Sequence, residues 1–255
     1  MEKHSSDYSR LGGNVMSSKV SSLMIEAIEH GVYQNAVRLP AEVDLANEFE
    51  VSRSVIRDSL SNLARAGIIE RVRGVGTLIN HDALKTGNRL DLKCEYATLI
   101  QNAGLHPNTD SLQIYSILCT EALAQRLHLD ENAEVLVCEK RILADKRPVI
   151  YSIDYISIEA LGKTDYHNLD WSRSIFEVLE QHFGIQIISH ITRLKPFYGD
   201  AILRSRLCVG EQEALLLMDE VSYNDLCVPI LCSQSYYTDF FEFSLLRKSL
   251  LKKSY

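Results

Sequence analysis

The sequence predicts an α+β protein of two domains, a winged helix-turn-helix followed by a larger α+β domain on an antiparallel sheet. Three observations carry that reading. Between residues 18 and 66, apolar side chains recur at helical spacing in three short blocks. A Gly-rich turn then joins two short alternating runs, "IIERVRGVGTLI". Beyond residue 92, long strand-like runs are paired by tight turn signals.

The first helix is expected over residues 18–31, where Val20, Leu23, Met24, Ala27 and Ile28 share a face and Gly31 follows as a stop. Residues 1–17 are polar, contain Gly and Ser, and read as a flexible tail rather than a signal peptide. A second helix, "AEVDLANEF", opens after Pro40 with Glu42 and Asp44 in its first turn, and Leu45, Ala46 and Phe49 form its apolar side. A tight turn at Glu50 and Val51 leads into a third helix from Ser52 to about Ala66, lined by Val55, Ile56, Leu60, Leu63 and Ala64. Three helices and a hairpin in this order form a winged helix-turn-helix over residues 18–80. The polar stretch 81–91 reads as a linker.

Residues 92–103 are expected to form a helix halted by Gly104. Strands are expected at "SLQIYSILC", "EVLVCEKRILA", "PVIYSIDYI", "IQIISHITRLKPFY", "ALLLMDEVSY" and "PILCSQSYYTDF", with helices at "EALAQRL", "SIFEVLEQHF" and "DAILRSRL". The turns "ADKRP" and "NDLCVP" each join two long strands, which makes the sheet antiparallel.

Composition narrows the function classes. At 255 residues, with 46% hydrophobic and 24% charged side chains, the chain suits an ordinary soluble protein, and no apolar run approaches a membrane span. The six cysteines, Cys94, Cys119, Cys138, Cys208, Cys227 and Cys232, form no CxxC pair and read as reduced thiols of a cytoplasmic protein, not as a metal site. No P-loop, GxSxG, HExxH or GxGxxG is present, and no cofactor is expected.

The net charge of −7 argues against nucleic acid until its distribution is considered. Residues 51–76 hold Arg53, Arg57, Arg65, Arg71 and Arg73 against Asp58 and Glu70. Arg53 and Arg57 fall in the first two turns of the third helix, where the dipole disfavours cations unless an external anion is supplied. In a helix-turn-helix that end enters the major groove. Arg71 and Arg73 flank the glycine turn, which can approach a phosphate backbone closely. Double-stranded DNA is the expected partner.

The stretch "RLPAEVDLANEFEVSRSVIRDSLSNLARAGIIERVRGVGTLI" resembles the winged-helix domain of the GntR family of bacterial transcription regulators. The resemblance implies operator contacts by Arg53, Ser54 and Arg57, and a wing from Gly74 through Gly76 to Thr77 in the minor groove. Where the family usually carries an arginine, this chain has Val43, and Arg38 is the candidate replacement. Residues 92–243 resemble the UTRA effector domain of the HutC subfamily, with its chorismate-lyase-like fold, which implies an effector-binding and dimerisation domain over residues 92–255. The features that carry this are "ALAQRLHLDENAEVLVCEKRILADKRPVIYSIDYI", "SIFEVLEQHFGI" and "LCVPILCSQSYYTDFFEF".

That second resemblance implies an effector held by Arg141 and Ser174. Leu143, Ser152, Phe176 and Leu231 replace charged or hydrogen-bonding groups of phosphosugar-binding relatives, and Tyr236 completes the site. A less polar anion, or a partly hydrophobic ligand, suits such a lining better than a sugar phosphate. The resulting expectation is a homodimeric repressor whose operator affinity is modulated by a small molecule. Two alternatives stand beside it: an enzyme of the chorismate-lyase type with a DNA-binding head, and a constitutive DNA-binding protein.

Overall fold

The structure, a computed structural model, describes residues 5–92, 95–162 and 165–247, with residues 5–15 described in backbone alone. The chain divides into two compact units, Met1–Lys93 with Phe243–Tyr255, and Cys94–Glu242.

The first unit packs three helices, α1 (Ser5–Glu29), α2 (Glu42–Glu48) and α3 (Arg53–Arg65), against a small sheet of β1 (Arg38–Leu39), β2 (Ile69–Val72) and β3 (Gly76–Ile79) in the order β1-β3-β2. Val20, Met24 and Ile28 of α1 meet Leu45 of α2, Ile56, Leu60 and Leu63 of α3, and Ile69 of β2 in one core. The α1–α3 crossing is close because serines occupy it. Ser59 Oγ donates to Ser17 O at 2.9 Å, and Ser21 Oγ donates to the same carbonyl at 2.8 Å, so these buried hydroxyls are satisfied. Helix α1 begins at Ser5, inside the stretch expected to be a tail, of which residues 1–4 lie outside the described residues. Once the packed turns around Val20 and Met24 nucleate a helix, each further residue adds a hydrogen bond at little cost, and polar sequence does not stop it.

The expected linker is also partly built in. Asn80 caps a short α4 (His81–Lys85), Ala83 is buried, and Leu84 packs on the first core. Farther on, Leu90 N donates to Ser244 O at 2.8 Å and Ser244 N donates to Asn88 O at 3.1 Å. The segment after Glu242 therefore returns to the first unit, whereas the sequence places it in the second domain.

The second unit is a six-stranded antiparallel sheet, order β4-β5-β6-β9-β8-β7, with helices on both faces. Its elements are α5 (Tyr96–Asn102), β4 (Pro107–Leu118), α6 (Glu121–Leu127), β5 (Glu134–Ala144), β6 (Arg147–Ser157), α7 (Ile158–Leu161), α8 (Ile175–Phe183), β7 (Ile187–Phe197), α9 (Ala201–Leu207), β8 (Leu215–Asn224) and β9 (Pro229–Tyr237). Strand alternation sends Leu136, Cys138, Ile156 and Leu231 to one face, where Ile175, Val178 and Leu179 of α8 pack on them with Trp171. The opposite face carries α6 through Val135, Val221 and Cys232, and α9 through Tyr151 and Leu215. The expected strands and long helices all form. Short α4 and α7 are not foreseeable, since four or five residues are too few for periodicity to register. Five described cysteines are free thiols, and Cys94 lies outside the described residues. Among the described residues no helix is long and apolar enough to cross a membrane.

Candidate nucleic-acid interface and effector face

Helix α3 starts at a joint that the local chain dictates. Glu50 adopts a left-handed φ of 53°, and Val51 N returns to Ala46 O at 3.0 Å. Ser52 then caps α3 by accepting from Val55 N at 3.4 Å, while its hydroxyl pairs with that of Ser54 at 2.8 Å. Arg53 is exposed and without a partner among the described residues, at the helix end where the dipole is positive. Arg57 lies one turn on, with 60% of its side chain exposed.

The wing is a tight turn between β2 and β3. Gly74 and Gly76 have φ of 78° and 113°, which side-chain-bearing residues rarely adopt, and a Cβ there would meet nothing within 4 Å. Glycine is therefore required by the backbone angle and not by crowding. Val75 N closes the turn on Val72 O at 3.0 Å, and Arg38 Nη1 braces its tip by donating to Val75 O at 3.1 Å. Arg73 projects beside the turn with no partner among the described residues, and Thr77 pairs with Arg71 across the hairpin. Arg38, the candidate replacement for the arginine missing at Val43, is thus engaged with the wing, and Val43 is exposed.

In the second unit, the α8 face carries a buried polar group. Lys140 is 2% exposed, and its Nζ donates to Arg173 O at 2.9 Å and Trp171 O at 3.4 Å. Asp154 accepts from Ser233 Oγ at 2.6 Å and Ser152 Oγ at 3.4 Å, and Ser152 and Ser235 hydroxyls meet at 3.0 Å. Burial raises the Asp154 pKa, against the lowering charge of Lys140 and the two serines. Burial would lower Lys140, but Tyr96, Cys138, Asp154 and Glu95 outweigh it and hold the amine up. At the edge of this group Ser174, the residue before α8, donates to Glu95 Oε2 at 2.9 Å. Phe176 sets its ring edge-on to His190 with centroids 5.5 Å apart.

Two profiles decide the family. That of the GntR family, described as bacterial regulatory proteins, matches residues 16–79, and that of the UTRA domain matches residues 102–239. The chain is a GntR-family regulator with a UTRA domain. Among curated relatives, the uncharacterized HTH-type transcriptional regulator YurK of Bacillus subtilis is 21% identical over 84% of this chain and 88% of its own. The HTH-type transcriptional repressor NagR of Bacillus subtilis is 24% identical over 77% and 79%. Among solved structures, the possible transcriptional regulator YydK of Bacillus subtilis shares the fold with a TM-score of 0.70 at 18% identity, covering 91% of this chain and 99% of that one. The chain is a transcriptional regulator whose UTRA domain is the effector-binding part, and not an enzyme.

For this regulator, the nine nucleic-acid positions read from sequence lie on α3, the wing and the adjoining β1. The seven effector positions do not share one pocket. Ser152, Ser174, Phe176 and Leu231 belong to the α8 face. Arg141 and Tyr236 belong to the α9 face, and Leu143 lies past a register shift of β5 against β6. Arg141 is a fork on Asp110, Nε to Oδ1 at 2.8 Å and Nη2 to Oδ2 at 2.6 Å, and its Nη1 donates to Arg206 O at 2.9 Å. Each of its three nitrogens is therefore already bonded. Tyr236 packs its ring at a tilt against Phe197, centroids 5.2 Å apart. A one-residue difference in strand parity explains the split: Arg141 opposes Tyr151, while its neighbour Lys140 opposes Ser152. Sequence reasoning misses Lys140 and Asp154, although a charged residue in the parity of Leu136 and Cys138 is a readable signal.

Proposed function

We propose that this regulator is a homodimeric repressor that reads operator DNA through Arg53, Ser54 and Arg57 in the major groove and through the wing, Arg73 to Thr77, in the minor groove. The observation that carries the reading is the pair of arginines on the first two turns of α3, one of them unpartnered among the described residues, at the positive end of a helix whose inner side is buried. An operator phosphate supplies the missing anion, and a guanine edge supplies a pair of neutral acceptors. The repressor assignment follows the name of NagR, a repressor in its own right. The protein acts in the cytoplasm, where DNA and reduced thiols coexist.

The effector is taken on the α8 face. Ser174 and Phe176, both half-buried at the start of α8, offer a hydrogen-bonding and an apolar partner there, over the buried Lys140, Ser152, Asp154 and Leu231. With the Lys140 charge offset by Asp154 and Phe176 apolar beside Ser174, the lining suits a small ligand of mixed polarity better than a dianionic phosphate. Binding there shifts the population of DNA-competent states by its differential affinity for them.

Selecting binding sites from a pool of randomised duplexes tests the DNA reading. The wild-type protein enriches a short two-fold-symmetric sequence. Arg57→Ala loses at least about tenfold in affinity for it, the worth of a good bidentate base contact, with an unchanged thermal midpoint. Retained affinity in a mobility-shift assay overturns the assignment of Arg57.

A further inference from the structure

Two of the interface arginines are held by one acidic side chain that stands outside the DNA-reading set. Glu42 opens α2, and its carboxylate reaches both other parts of the interface. Oε1 accepts from Arg71 Nη2 on β2 at 2.7 Å, and Oε2 lies 3.6 Å from Arg57 Nη2 on α3. Glu42 is 29% exposed, against 60% for Arg57 and 38% for Arg71, so the acid is the more enclosed member of the group. Arg53 and Arg73, in contrast, have no partner among the described residues. Apart from Arg38, which braces the wing, the interface holds two arginines without a partner among the described residues and two tethered to one carboxylate across three elements.

We infer that Glu42 is a positioning residue that sets the specificity of DNA recognition. It does so by orienting Arg57 and withholding part of the charge of Arg57 and Arg71 from indiscriminate phosphate contact. Three physical points support this. An arginine side chain has much rotamer freedom to lose, and a carboxylate paired with the guanidinium removes part of that cost before DNA arrives. A free guanidinium binds any phosphate, whereas one held from behind offers its remaining donors in a fixed direction, as bidentate base readout requires. Sequence-independent affinity grows with each cation released to the backbone, so partial neutralisation lowers binding to wrong sites more than to the right one. Ordinary stabilisation of α2 by an acid near its N-terminus does not need these contacts. Asp44, in the same first turn and with no partner among the described residues, supplies that effect alone.

The inference rests on the operator reading, and its test separates the two. The wild-type protein, Glu42→Gln and Asp44→Asn are each titrated with the duplex selected by the wild type and with a scrambled duplex, over a series of salt concentrations. Thermal midpoints are recorded alongside. For Glu42→Gln, the ratio of selected to scrambled affinity is expected to fall at least about tenfold. The slope of log affinity against log salt on the scrambled duplex is expected to steepen by about one for each arginine released to the backbone. Asp44→Asn keeps both quantities within about twofold of wild type. An unchanged ratio in Glu42→Gln, or a parallel loss on both duplexes with a lowered midpoint, overturns the inference while leaving the operator reading in place. Failure of the wild-type protein to enrich any sequence overturns the operator reading and this inference together.

Discussion

Asp91 and Arg89 show how much of the first unit depends on residues that carry no sequence signal. Arg89 keeps only 5% of its side chain exposed, and its guanidinium grips the Asp91 carboxylate through two nitrogens. That contact, against the opposing effect of burial, holds the Asp91 pKa below the usual carboxylate range, and Leu246 N adds a hydrogen bond in the same direction. A carboxylate with a depressed folded-state pKa contributes stability that is present above its unfolded value of about 4 and is lost as pH falls through the folded one. Asp110, lowered chiefly by its hydrogen bond to Arg141, has the same sign in the second unit. Urea unfolding of wild type is therefore expected to lose stability between about pH 5 and pH 3, and Asp91→Asn to lose less over that interval. Parallel pH profiles for the two proteins would exclude this role for Asp91. At this scale Ser52, Arg53 and Arg57 were legible in the sequence, because a cap and its helix are neighbours along the chain. Glu42 was not, since its partners lie 15 and 29 residues away.

At the scale of elements, the long strands were legible from alternation and turn chemistry, and β5 occupies the stretch "EVLVCEKRILA" that its pattern predicts. Strand β7 adds what periodicity could not say, namely that it ends the sheet. Its 11 residues pair with β8 on one side, and its Ile188, Ile191 and Leu194 are exposed at 60%, 55% and 47%. A long apolar edge is an unprotected template for further pairing unless something covers it. If the proposed homodimer forms through this edge, two-fold symmetry sets the same strand of the second copy against it. Sedimentation is expected to give twice the chain mass for wild type and the chain mass for Ile191→Asp, with the fold retained by circular dichroism. A dimer that survives Ile191→Asp and Leu194→Asp together would place the interface elsewhere.

For the whole molecule, function couples a DNA-reading unit to an effector-binding one, and the effector class follows from which face of the sheet receives it. If the α8 face is the site, monoanionic ligands with an apolar part raise the thermal midpoint and release the selected duplex, and Asp154→Asn alters that ligand ranking. Stabilisation by sugar phosphates alone would overturn the proposed effector class. The sequence by itself determined the two domains, the helix-turn-helix with its arginines, the strand order along the chain and the family. Those depend on local capping, on periodicity and on motifs of closely spaced residues. Only the tertiary structure decided that Glu42 ties the recognition helix to the wing and that Lys140, not Arg141, faces Ser152 and Asp154. It also decided that the segment after Glu242 returns to the first unit. The reason is physical: a contact between residues distant in the chain depends on strand register and parity, and a shift of one residue exchanges every side chain between the faces of a sheet.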